Sequence, residues 1–306
     1  MSSSPAETAS GPAWFVDALA DAGATRDVQV KGARVEYRVW GPESAPTVVL
    51  VHGGAAHGGW WDHVAPLLAS DRRVAAIDLT GHGSSDSRSH YDFFTWSDEI
   101  VAVGDAESGG ARFDVIGHSM GGVAALTTAL LRGERLGGTV AIDPPDWLVA
   151  EGGLAARRVL LPPRRFHASR DLVESRFQAR PVDPARLRYV ERRVAERSVR
   201  RTDDGWTWRF DHAVTLHDSF PDELWGRRLG PTVLVMAERS LMSVDQVDEL
   251  SSRLGGVPVV TIADSGHHVM LDQPLALTAC LQEVLAGWVE GPVGEAVASS
   301  PCADVT

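Results

Sequence analysis

Phe113-Asp114-Val115-Ile116-Gly117-His118-Ser119-Met120-Gly121-Gly122 places a hydroxyl where it could act as a nucleophile. Gly-x-Ser-x-Gly suits a serine at the apex of a sharp strand-to-helix turn, because larger side chains two positions either side would collide as strand and helix approach. Gly117 and Gly121 meet that need, and Gly122 keeps the helix start open. The Ser119 hydroxyl would then stand above a sheet edge. The next amide, Met120 N–H, would open the helix without an intrahelical acceptor, where it can hold developing negative charge. The chemistry this predicts is attack of serine on an electrophilic carbon, with backbone donors holding the resulting oxyanion.

Such a turn needs a buried strand before it and a helix after it, and the chain repeats that alternation. Residues 28–30 and 35–40 read as a hairpin turning at Lys31-Gly32. The apolar run 47–51 has the pattern of a central parallel strand, buried on both faces. A helix is predicted over 62–68, a strand over 73–77, a helix over 93–106 and a strand over 139–142 that ends at Asp143. From 147 to about 225 the alternation breaks. There Asp183-Pro184 reads as an N-cap with proline at the first helical position, opening a helix with Leu187, Val190 and Val194 on one face. Trp206, Trp208 and Phe210 alternate beyond it, a pattern expected to pack this segment against the core. The core pattern returns with a strand at 231–238, a helix at 244–254, a strand at 257–262 and a helix at 275–288.

Alternating strands and helices predict an α/β fold, a mostly parallel central sheet flanked by helices. At 306 residues and 44% hydrophobic content, one domain with an insertion fits better than two independent domains. The expected division is a lead-in at 1–25, core at 26–146, an inserted helical cap at 147–225, core again at 226–290 and a tail at 291–306. The start lacks the basic and apolar runs of a signal peptide, and no apolar run approaches membrane-spanning length, so the cytoplasm is the expected location. Cys280 in a predicted helix and Cys302 in the tail suggest no disulfide framework.

The net charge of −12 is unevenly spread: residues 151–209 hold 15 Arg against 8 Asp and Glu, leaving −19 on the remainder. The basic segment is either a solvated arginine-rich surface or a means of attracting an anionic substrate or an acidic carrier protein. Nucleic-acid binding is not expected at this net charge without an aromatic and basic module. No metal-ligand cluster or nucleotide loop is present in the sequence, so no cofactor is implied.

Four ordered motifs give the chain its resemblance to the α/β-hydrolase superfamily, over about residues 28–289. His52-Gly53-Gly54 after a strand resembles its oxyanion loop. Asp78-Leu79-Thr80-Gly81-His82-Gly83-Ser84-Ser85 matches its Gly-His-Gly-x-Ser loop, where Asp78 and His82 are expected to hold a turn. The serine turn comes next, and Gly266-His267 with Pro274 comes last. The resemblance implies that His267 takes the Ser119 proton and returns it to the leaving group, with Gly54 N–H the second oxyanion donor beside Met120 N–H. His268 is expected on the site wall.

The orienting acid departs from the common pattern. Most relatives carry an aspartate after the strand before the last, where this chain reads Ala237-Glu238-Arg239-Ser240. Some relatives place the acid after the strand that follows the nucleophile helix, which here is Asp143. Glu238 and Asp245 are the alternatives, while Asp264 lies too near His267 in the chain to reach around its ring. The expected reaction is cleavage of a carboxylic ester or lactone in a small molecule. A thioesterase or acyltransferase acting on a CoA- or carrier-bound substrate, a carbon–carbon hydrolase and a ligand-binding relative with weakened catalysis stay open. A serine at the turn argues against a dehalogenase or epoxide hydrolase, which need a carboxylate there.

Overall fold

The computed structural model describes residues 11–150, 164–183 and 187–289. The expected tail at 291–306 and the proline of the Asp183-Pro184 pair lie outside them. In chain order the elements are α1 (Ala13–Ala20), β1 (Ala24–Val30), β2 (Ala33–Trp40), β3 (Thr47–Val51), α2 (Ala65–Leu68), β4 (Arg73–Ile77), α3 (Phe93–Ser108), β5 (Phe113–His118), α4 (Met120–Arg132) and β6 (Leu136–Ile142). There follow α5 (Arg170–Glu174), α6 (Arg188–Arg197), β7 (Val199–Thr202), β8 (Gly205–Trp208), β9 (Thr232–Arg239), α7 (Val244–Arg253), β10 (Val259–Gly266), α8 (Val269–Asp272) and α9 (Pro274–Val289).

Eight strands form one sheet in the order β1-β2-β4-β3-β5-β6-β9-β10. The β1–β2 and β2–β4 pairs are antiparallel, and every pair from β4 to β10 is parallel. Strand β3 shows why the sheet has helices on both sides. All five of its residues are buried, with Val49 and Val51 in one apolar cluster and Val48 and Leu50 in the other. Trp96, Ile100 and Val103 of α3 and Val123 and Leu126 of α4 close the first face. Leu68 of α2 and Leu277, Leu281 and Leu285 of α9 close the second. The strand order reverses between β4 and β5, on either side of β3. In an open α/β sheet the carboxyl ends at such a reversal bound a crevice.

Several elements differ from the sequence reading. The lead-in contains α1, anchored by the buried Phe15. The expected helix at 62–68 is a 3₁₀ turn over Gly58–Trp61 followed by the single helical turn α2. Asp62 is drawn out of it into ion pairs with Arg38, Arg193 and Arg197. Asp183 does not cap α6, which starts at Arg188 behind Leu187; its carboxylate lies 3.2 Å from Arg239 instead. Strand β10 starts later and runs on to Gly266 through a register shift after Ile262. Between β6 and β9 the described residues hold two helices and the antiparallel β7–β8 hairpin.

Asp114 on β5 is a buried acid outside the crevice. Burial pushes its carboxyl up from 3.8 to about 6, with Arg72 and the Gly138 amide pulling the other way. The folded state therefore disfavours the carboxylate more than the unfolded chain does. The cost to stability develops as pH rises from 3.8 to about 6 and persists above. Asp114→Asn is expected to raise Tm by roughly 3–6 °C at pH 8 and to leave it unchanged near pH 4. Equal shifts at both pH values in calorimetry would contradict this.

Candidate active site

Ser119 stands between β5 and α4 with φ 53° and ψ −122°, a conformation that a non-glycine residue holds only when its surroundings impose it. The surroundings are the two flanking glycines. A Cβ on Gly117 would fall 2.0 Å from the Gly121 carbonyl oxygen, and one on Gly121 would fall 2.3 Å from that of His52. The Ser119 amide donates to the Ile142 carbonyl at 2.9 Å, which ties the turn to the end of β6. The neighbouring residue there is Asp143.

His267 follows β10. Its ring Nε2 lies 3.0 Å from Ser119 Oγ, and its Nδ1 lies 2.6 Å from Asp143 Oδ2. A carboxylate only accepts, so Nδ1 carries the proton and Nε2 is left bare to accept the serine hydroxyl. Asp143 is fully buried. Its Oδ1 accepts from the Ala237 amide at 3.1 Å, and its own amide donates to Val235 at 2.8 Å. Both contacts come from β9, so the carboxylate is fixed by the sheet. The structure thus brings Ser119, His267 and Asp143 into one hydrogen-bonded line.

Glu238, Asp245 and Asp264 stand outside it. The Glu238 carboxylate accepts from the Asp264 amide at 2.8 Å, and Asp245 is exposed in the first turn of α7. Ser240, at the usual acid position, accepts from the Met242 amide at 3.0 Å.

Gly54 and Met120 sit side by side at the mouth of the turn: a Cβ on Gly54 would lie 3.6 Å from Met120 Sδ. The loop that carries Gly54 is pinned by His52. Its Nδ1–H donates to the Gly53 carbonyl at 2.8 Å, and its Nε2 accepts from the Leu79 amide at 3.1 Å. Both bonds need the neutral ring, and burial lowers the His52 pKa to about 4. Asp78 accepts from the Gly58 and Ser84 amides at 2.6 and 2.7 Å, so it holds the neighbouring loops together. His82 caps the same turn from within, 3.3 Å from the Thr80 carbonyl.

A cavity of about 600 Å³ opens over Ser119 and His267. Its walls are aromatic, from Trp60, Trp147, Phe177, Trp208 and Phe210, and Arg176 and Arg180 add two exposed cations. Trp208 and Phe210 line the cavity, although the alternation of aromatics is a pattern expected to pack this segment against the core. His268 lines the wall and donates to the Arg180 carbonyl at 2.9 Å, which holds the segment between β6 and β9 against the site.

The sequence reading missed His118. Its Nε2–H donates to the His267 carbonyl at 2.7 Å and fixes the backbone of that residue. Burial, and then the nearby His267, lower the His118 pKa to about 3, so it stays neutral. His118, His267 and His268 present ring nitrogens within 4.8 Å of one another. No sequence spacing marks this group, because β5 and the end of β10 meet only in the folded sheet.

Comparison with known proteins agrees with this architecture. The profile of the alpha/beta hydrolase family matches residues 48–279. The chain is 29% identical over 270 residues to the esterase Rv0045c of Mycobacterium tuberculosis, covering 84% of this chain and 88% of that protein. A crystal structure of that esterase superposes with a TM-score of 0.70 at 26% identity, over 90% of this chain and 97% of that one. E-2-(acetamidomethylene)succinate hydrolase gives a TM-score of 0.75 at 19% identity, over 86% and 99% of the two chains, a likeness of fold alone. With the profile spanning most of its length, the chain belongs to the alpha/beta hydrolase family.

Proposed function

We propose that the protein is a serine hydrolase that cleaves a carboxylic ester or lactone through an acyl-enzyme on Ser119. The observation that carries this reading is the Ser119–His267–Asp143 line at 3.0 and 2.6 Å. As Ser119 Oγ attacks the carbonyl carbon, His267 Nε2 takes its proton, and Asp143 stabilises the imidazolium and keeps its tautomer. The carbonyl oxygen, now an oxyanion, is held by the Gly54 and Met120 amides. Collapse expels the alcohol with the His267 proton. Water, deprotonated by the same nitrogen, then releases the acid and restores Ser119. Similarity to the mycobacterial esterase supports the ester as the substrate class. The segment between β6 and β9 acts in this reading as a cap, supplying Phe177, Trp208 and Phe210 to the acyl or alkoxy pocket.

A panel of p-nitrophenyl esters, lactones and acyl-CoA thioesters tests the reading. Esters or lactones are expected to exceed thioesters in kcat/KM by about tenfold or more. A thioester preference would move the assignment to a thioesterase or acyltransferase, and inertness toward all three would favour a ligand-binding protein. Because Arg176 and Arg180 border the cavity, KM for an anionic ester is expected to rise with ionic strength more than for a neutral analogue. Equal salt responses would show that these arginines do not engage the substrate.

A further inference from the structure

A second cavity, of about 530 Å³, shares no lining residue with the first. It forms where α5, the end of α6 and the β7–β8 hairpin meet. Arg170, Arg193, Arg197, Arg200, Arg201 and Arg209 line it, with Glu196 the only carboxylate residue among the lining residues.

The counter-charges account for half of these cations. Arg170 pairs with Glu174. Arg193 and Arg197 lie 3.4 and 3.5 Å from the buried Asp62, which Arg38 also shares, and Arg193 reaches Glu196 at 3.9 Å. Arg200, Arg201 and Arg209 have no carboxylate within 4.0 Å among the described residues. The Nε–H groups of Arg193, Arg200 and Arg209 are shielded from solvent without a hydrogen-bond acceptor among those residues. A shielded donor left without an acceptor is destabilising, so the cluster is incomplete as it stands. Burial, and then crowding by neighbouring arginines, lowers the pKa of Arg200; for Arg197 the same two effects outweigh the pull of Asp62.

A solvated arginine surface would turn its guanidinium groups outward to water. Here six arginines line one concavity, Arg170 and Arg201 exposed at its rim and Arg193, Arg197, Arg200 and Arg209 partly shielded. The body of the protein is acidic, with a net charge of −12, so its overall field repels anions and any anion held must be held by local contacts. Three arginines without carboxylates match a ligand with about three negative charges, and the guanidinium fork suits phosphate oxygens. We propose that this cavity binds a small oligophosphate anion, either free or as the phosphate chain of a nucleotide. The proposal does not depend on the hydrolase reading, because its site lies apart from Ser119.

Titration calorimetry of the full chain with inorganic tripolyphosphate, and separately with ATP, tests it in low salt without divalent cations. Wild type is expected to bind one equivalent of either probe with Kd below about 100 µM. Arg200→Glu is expected to weaken both by about tenfold or more, while ester hydrolysis without the anion stays within about twofold. If the reversal does not fold, the Arg200→Gln, Arg201→Gln pair is expected to show the same loss with an unchanged melting curve. Arg253→Ala, on distant α7, is expected to bind like wild type. The proposal is overturned by any of three results. These are no tripolyphosphate binding at about 1 mM, unchanged affinity in the folded Arg200 variants, or ATP binding without tripolyphosphate binding. Binding of polyglutamate in place of tripolyphosphate would also overturn it, in favour of an acidic protein partner.

Discussion

Asp143→Asn is expected to fold like the parent and to lose three to four orders of magnitude in kcat, about 4–5 kcal/mol of transition-state stabilisation. The asparagine keeps the shape but not the charge, and its amide can donate to His267 Nδ1, turning the proton onto Nε2. The ring then cannot accept from Ser119. The Ala237 amide would still find the side-chain oxygen, 3.1 Å away in the parent, so the variant should remain folded. Glu238→Gln and Asp245→Asn, with both side chains outside the hydrogen-bonded line, are expected to stay within about tenfold of wild type. Ser240→Asp in the Asp143→Asn background should recover part of the loss, because it returns a carboxylate to the strand end where relatives keep theirs. Steady-state kinetics on a p-nitrophenyl ester checks all four. A Glu238 or Asp245 variant as impaired as Asp143→Asn would place the acid elsewhere.

Ser119→Ala is expected to abolish both ester turnover and covalent labelling by a fluorophosphonate, while leaving the melting curve within a few degrees of wild type. The strain at φ 53° is imposed by the approach of β5 and α4, and alanine bears it as serine does. Labelling that persists in this variant would mean that another nucleophile serves the cavity.

How much of this was legible in the sequence depends on how local each cause is. The turn at Ser119 was readable because its steric demand falls on Gly117 and Gly121, two positions away. The hairpin at Lys31-Gly32 was readable for the same reason: both residues have positive φ, 47° and 78°. The run of β3 declared a strand buried on two faces. Asp143 was chosen over Glu238 from its place at the strand end after the nucleophile helix, and the fold gives the reason, with β6 lying directly beside β5.

Other features depend on contacts far apart in the chain. Asp62 leaves its predicted helix because Arg193 and Arg197 arrive from α6. Asp183 forgoes a capping role for Arg239, 56 residues on. The alternation of Trp206, Trp208 and Phe210 was visible, yet only the fold sends Trp208 and Phe210 to one cavity and Trp206 to another. The excess of arginine over 151–209 was a plain count, and the placing of six of the fifteen around one concavity was not.

The most direct test of the account is to catch the covalent intermediate. Rapid mixing with a p-nitrophenyl ester, acid quenching and peptide mapping by mass spectrometry would locate the acyl group. A burst of p-nitrophenolate close to one equivalent of enzyme is expected, with the acyl group on the peptide that contains Ser119. Turnover without any acylated peptide, or an acyl group on a residue other than Ser119, would contradict it.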